Sequence, residues 1–258
     1  MGLKGAILGD IAGSLAEFEE GQHEWRKTNF FEPNSVFTDD TVESIAIKEA
    51  FLTGRSYKEL LVEWGKRYIF VGYGGSFHKF LNDPQNAPNN SYGDGAVMRV
   101  SYLGTCFDTI EETEREAELS AICTHNSTEA ICGAKTVAGC IFLAEHNYTK
   151  NEILKYAANR YPLNKYKYSV LRPLADYRNE YKFEVRCDNT VPVAIRCFYE
   201  SKNYLNFLQN VHYIGGDTDT LGAIGGGIAE SFYKETGFNE DKLLRYYLDD
   251  TMLKWVLN

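Results

Sequence analysis

Residues 215–233 read GGDTDTLGAIGGGIAESFY, and the fold class turns on this stretch. From Leu221 to Tyr233 the small residues leave no bulky polar face, which predicts a buried helix. Glycine in a helix interior costs about 1 kcal/mol relative to alanine. Gly225, Gly226 and Gly227 in succession therefore predict neighbours packed tightly against that helix.

Working outward, other segments read the same way. Thr128 to His146 is dense in Ala, Gly, Cys and Ile and predicts a second buried helix. From Thr38 the apolar positions Val42, Ile45, Ala46 and Phe51 fall at helical spacing, with Gly54 as a stop. Tyr57 to Phe70 repeats the pattern, and Glu111 to Cys123 opens acidic and turns apolar, as a helix N-terminus favours. Thr149 and Glu152 fit a capping box for a helix through Tyr161. Gly72 to Gly95 is predicted to be loop, and Leu163 to Val193 receives no assignment. The expectation is one all-α domain over residues 1–258.

The 36 acidic residues outnumber 27 basic ones, a formal charge of −9. That balance argues against general nucleic-acid binding, which needs a basic surface to neutralise phosphates. No apolar run reaches the roughly 20 residues of a membrane span. Asp10 and several glycines break the only apolar stretch near the start, so a cytoplasmic chain is expected. The six cysteines form no CxxC pair and are expected to be reduced and structural.

Two acidic clusters are candidates for chemistry. Thr38-Asp39-Asp40-Thr41 and Asp217-Thr218-Asp219-Thr220 both stand where helices begin. Carboxylates with neighbouring hydroxyls suit hard divalent cations, yet the same residues are ordinary helix caps. Ser91-Tyr92-Gly93-Asp94-Gly95 leads into Met98-Arg99, and its glycines would let backbone approach a ligand. Thr124-His125-Asn126 holds a lone histidine, more often a structural residue than a functional one.

Taken in order, these motifs resemble the ADP-ribosylglycohydrolase family. The matching stretches are Gly5 to Ser14, Phe37 to Thr41, Gly93 to Val100, Thr124 to Asn126 and Gly215 to Thr220, so the resemblance spans nearly the whole chain. It implies an orthogonal all-α bundle with a central dinuclear metal cleft. The metal ligands would fall on Thr38, Asp39, Asp40, Asp217, Asp219 and Thr220, holding two divalent cations, Mg2+ or Mn2+. Glu17 would be the acid/base, with Asp40 and Asp219 in reserve. Ser91, Tyr92, Gly93, Asp94, Gly95 and His125 would bind ADP-ribose. The implied activity is hydrolysis at C1″ of ADP-ribose on a modified protein or small molecule, by a monomer. Two rival functions are an ADP-ribose-binding protein without turnover and a metal-dependent phosphoesterase or pyrophosphatase.

Two positions depart from the family pattern. Asp94 replaces the usual Asn, and its carboxylate would either join the metal shell or repel a diphosphate. Ser127 and Thr128 stand where close bacterial relatives have His-Pro.

Overall fold

The computed structural model describes residues 2–18, 27–161 and 165–257. Among them lie thirteen α-helices and no strand. These are α1 (Leu3–Gly13), α2 (Asp39–Thr53), α3 (Tyr57–Arg67), α4 (Gly75–Asn82), α5 (Ile110–Ala121), α6 (Thr128–Glu145) and α7 (Lys150–Arg160). The remainder are α8 (Leu174–Tyr177), α9 (Cys187–Glu200), α10 (Tyr204–Ile214), α11 (Thr218–Tyr233), α12 (Glu240–Tyr247) and α13 (Asp250–Val256). The all-α expectation holds, and all six cysteines are free. Among the described residues, no helix is long and apolar enough to cross a membrane.

The close neighbour that the glycines of α11 demand is α1. Gly5, Gly9 and Gly13 recur every fourth residue, so they share one face of α1. That face meets Gly222 and Gly226 of α11, and the two backbones touch. A Cβ at Gly9 would lie 2.0 Å from the Gly222 carbonyl oxygen, and one at Gly222 would lie 2.2 Å from that of Gly9. Side chains then secure both ends of α1. The Glu230 carboxylate accepts from the Gly5 amide at 2.7 Å, and the Thr218 hydroxyl donates to the Gly13 carbonyl at 2.7 Å.

Around this pair pack α2, α6, α9 and α10, with α5 and α7 outside α6 and α3 outside α2. The predicted stop of α2 is real, since Gly54 adopts a left-handed φ of 69°. The capping box of α7 forms as read, with the Thr149 amide donating to Glu152 at 2.8 Å.

Three expectations need correction. Gly72–Gly95 is not all loop, because Phe77, Phe80 and Leu81 bury one face of α4. The helix expected from Leu221 begins at Thr218, since its N-terminal threonine and aspartate tolerate the first turn well. The unassigned stretch holds α8 and the start of α9, while its boundary at Leu163 lies outside the described residues.

Candidate metal centre

The contact between α1 and α11 places Asp10, one residue after Gly9, beside Asp219, and α2 closes the third side. Carboxylate oxygens of Asp10, Asp40 and Asp219 lie within 4.8 Å of one another, as do those of Glu17, Asp217 and Asp219. The two sets share Asp219. Asp39 stands outside both, near Glu43.

The sequence marks Asp10 only as a break in an apolar stretch, not as a site residue. A fully buried aspartate needs partners, and Asp10 has four. Its carboxylate accepts from the Thr38 amide at 3.0 Å, the Thr38 hydroxyl at 2.9 Å, the Thr41 amide at 3.2 Å and the Thr41 hydroxyl. It thereby binds the first turn of α2 to α1.

The capping and metal readings of Thr38–Asp40 prove compatible. Thr38 is the N-cap of α2 and accepts from the Asp40 amide. The Asp40 carboxylate is left over for other work. Its Oδ2 lies 3.2 Å from the Thr38 hydroxyl and 3.3 Å from that of Thr220, while its buried Oδ1 has no hydrogen-bond partner among the described residues. Asp217 occupies the N-cap position of α11, yet its side chain makes no capping bond. A buried carboxylate oxygen without a donor is costly, and a divalent cation would satisfy it. The residues fit a metal on this ground.

Glycine geometry aims Asp217. Gly215 and Gly216 have φ of 71° and 83°, left-handed values that glycine adopts at no steric cost. A Cβ at Gly216 would lie 2.8 Å from the Tyr181 ring and 3.0 Å from the Lys182 carbonyl oxygen.

The electrostatics match acids crowded together. Burial, then the charge of Asp219, raises Asp10 to about 7 and Glu17 to about 8. Burial first pushes Asp39, Asp40 and Asp217 well above the ordinary carboxylate range. Asp94 is buried and rises to about 6, chiefly through desolvation, with Thr190 donating to it at 2.8 Å. It is also the strongest like charge acting on Asp217, so it belongs to the acidic cluster.

Glu17 is half-buried, just beyond α1. The next residue, Phe18, has a φ of 64° and places its ring 4.7 Å from that of Phe183. That contact ties the Glu17 segment to the chain just before residues 185–187.

The rim is built from loop 91–95 and residues 185–187. Asp94 donates its amide to the Val185 carbonyl at 3.0 Å, and Cys187 donates to that of Tyr92 at 3.1 Å. The Gly93 amide donates to the Ser91 hydroxyl at 3.1 Å. Exposed Tyr92 carries the Arg186 guanidinium 4.4 Å from its ring centre. Ser127 has a structural role of its own. It caps α6 and donates its hydroxyl to the Ser91 carbonyl at 2.9 Å. His125 is buried against Gly93 and Gly95, and burial lowers it to about 3, so its ring is neutral.

A family model described as ADP-ribosylglycohydrolase matches residues 2–254. The ADP-ribosylhydrolase ARH3 of Homo sapiens is 26% identical, over 90% of this chain and 84% of that protein. The Mus musculus protein of the same name is 26% identical, over 90% and 82%. A solved structure described as an ADP-ribosylglycohydrolase-related protein complex superposes with a TM-score of 0.71 at 21% identity, covering 99% of this chain and 95% of that one.

Proposed function

The chain belongs to the ADP-ribosylglycohydrolase family, and from that premise we propose that it is a metal-dependent hydrolase cleaving the C1″ glycosidic bond between ADP-ribose and an acceptor. One observation carries this reading. Buried carboxylates from α1, α2 and α11 converge at Asp219, and one oxygen of Asp40 has no donor among the described residues.

Thr38, Asp39, Asp40, Asp217, Asp219 and Thr220 would hold two divalent cations, with Asp10 bracing the ligands of α2. Oxygen donors of this kind accept Mg2+ and Mn2+ alike. When bound, such ions orient hydroxyls and water and offset charge that develops as a glycosidic bond breaks.

The other roles fall to the chain itself. Glycoside cleavage passes through an oxocarbenium-like state and gains from a carboxyl that moves a proton at the leaving group or water. Glu17 stands beside Asp217 and Asp219, and in the metal-free chain burial, then the charge of Asp219, raises it to about 8, so it is placed to move that proton. Asp40 and Asp219 are reserve candidates. Loop 91–95 and His125 would hold the diphosphate and adjoining ribose. The amides of Gly93 and Asp94 are already bonded within the chain, so recognition would use the loop's remaining groups. A monomer acting on an ADP-ribosylated protein or small molecule completes the reading.

The decisive experiment incubates the protein with arginine- and serine-linked ADP-ribosyl peptides and Mg2+ or Mn2+, then identifies products by mass spectrometry. Free ADP-ribose, absent with Asp39→Ala and Asp217→Ala, is the expected result. Release of AMP or phosphate would make the protein a phosphoesterase instead. Binding without cleavage of either linkage would favour an ADP-ribose-binding protein or a hydrolase of another linkage.

A further inference from the structure

A chain of buried polar contacts runs from α2 to His125. Glu43, one turn after Asp39, accepts from Arg99 Nη1 at 2.7 Å, and both side chains are buried. Arg99 Nη2 has two hydrogens and two close oxygen acceptors: the Ser120 carbonyl at 2.9 Å and the Thr124 hydroxyl at 2.9 Å. The Thr124 oxygen in turn lies 2.7 Å from His125 Nδ1.

Counting protons fixes the direction of the last contact. A hydroxyl has one proton and two lone pairs, and guanidinium can only donate. With an Arg99 hydrogen directed at its oxygen, Thr124 keeps its own proton to give. The Nδ1 lone pair at 2.7 Å is the strong acceptor within reach. In the opposite arrangement Nδ1 would donate to Thr124. Among the described residues the buried hydroxyl proton would then be left with the Cys123 sulfur, a costly outcome.

The ring is neutral, since burial and the Arg99 charge hold it at about 3. It therefore carries one proton, on Nε2. That nitrogen faces the ligand loop: a Cβ at Gly95 would lie 3.3 Å from it, and one at Gly93 3.7 Å.

We propose that Arg99 and Thr124 are positioning residues that fix the Nε2–H tautomer of His125, so that it meets bound ADP-ribose as a hydrogen-bond donor. The ligand half of this inference rests on the cleft being an ADP-ribose site; the tautomer half does not. The consequence is selectivity for an acceptor oxygen at that point of the ligand. The relay also connects the helix of Asp39 and Asp40 to the ligand loop through side chains alone.

The test is long-range 1H–15N NMR of the full chain, with His125 assigned by its loss in His125→Asn, together with calorimetric titration of ADP-ribose. Wild type is expected to show a protonated Nε2 and an unprotonated Nδ1. Thr124→Val should lose the fixed preference and weaken ADP-ribose binding about ten- to hundredfold, the range for one hydrogen bond to a charged group. Thr124→Ser, which keeps the hydroxyl, should restore both. A wild-type proton on Nδ1 overturns the proposal, and so does a Thr124→Val protein with wild-type tautomer and affinity. If Thr124→Val does not fold, the wild-type and Thr124→Ser spectra still decide. The expected tautomer without ADP-ribose affinity in wild type supports the relay and overturns the reading of the cleft.

Discussion

Glu17 and Asp94 are the residues where small chemical changes separate the alternatives. Glu17→Gln removes the proton that a carboxyl can give while keeping its size. Hydrolysis should fall about 10²–10⁴-fold, the range for general acid–base catalysis, when both proteins are compared at Mg2+ concentrations that calorimetry shows to be saturating. Full hydrolysis in a variant that still binds metal would remove Glu17 from the mechanism. Asp94→Asn relieves like-charge crowding against Asp217, and its amide oxygen can still accept from Thr190. Metal-free protein should gain on the order of 1 kcal/mol, about 2–4 °C in Tm for a chain of this size, and bind divalent metal less tightly. An unchanged Tm and metal affinity would place Asp94 outside the metal's surroundings. At this scale the sequence disclosed the two acidic clusters, because each packs two carboxylates into four residues. Asp10 reads in the sequence only as a break in an apolar stretch, for the opposite reason. It stands alone in an apolar helix, and its partners Thr38 and Thr41 are about thirty residues away in the chain.

The contact of α1 with α11 sets the spacing of Asp10 from Asp219, so it is the element on which the centre depends most. The glycines of α11 announced a tight neighbour, but sequence spacing could not say which helix it was. The recurrence of Gly5, Gly9 and Gly13 at every fourth residue supplies the matching face once both helices are seen together. Helix ends were legible where a capping signal was local, as at Thr149 and Gly54. They were misread where an apolar face lay among loop-forming residues, as in α4. Gly9→Ala would put a methyl 2.0 Å from the Gly222 carbonyl oxygen, and backbone cannot yield as a side chain does. Overpacking of this kind costs about 1–3 kcal/mol or more, so Tm should fall by several degrees. Metal affinity should fall with it, because the helices must part. Gly75→Ala is the control: its Cβ meets nothing within 4 Å, and alanine favours the helix by up to about 1 kcal/mol. If Gly9→Ala melts and binds metal like wild type, the close approach is not what positions the centre.

Across the whole molecule, the acids of the cleft make stability depend on pH and metal together. Asp10 at about 7, Glu17 at about 8, Glu43 at about 7 and Asp94 at about 6 all lie above their unfolded values of 3.8 or 4.5. A group whose folded pKa is raised holds its proton more tightly when folded, so unfolding releases it. The stability that this binding contributes is fully present below about pH 4 and is lost as pH rises through about 6 to 8. Acid denaturation of the rest of the chain acts in the opposite direction below that window. Metal-free protein should therefore show a Tm that declines between about pH 5.5 and 8, measured in the presence of a chelator. Divalent metal replaces those protons as the counter-charge, so saturating Mg2+ should flatten or reverse the decline. The same exchange predicts net proton release on metal binding near pH 6.5. Calorimetry in buffers of different ionisation enthalpy would detect it as a buffer-dependent heat. A metal-free Tm that rises steadily from pH 5.5 to 8, with no proton release on adding Mg2+, would mean that these carboxylates are already ionised. Some internal positive charge, and not a bound cation, would then have to balance them.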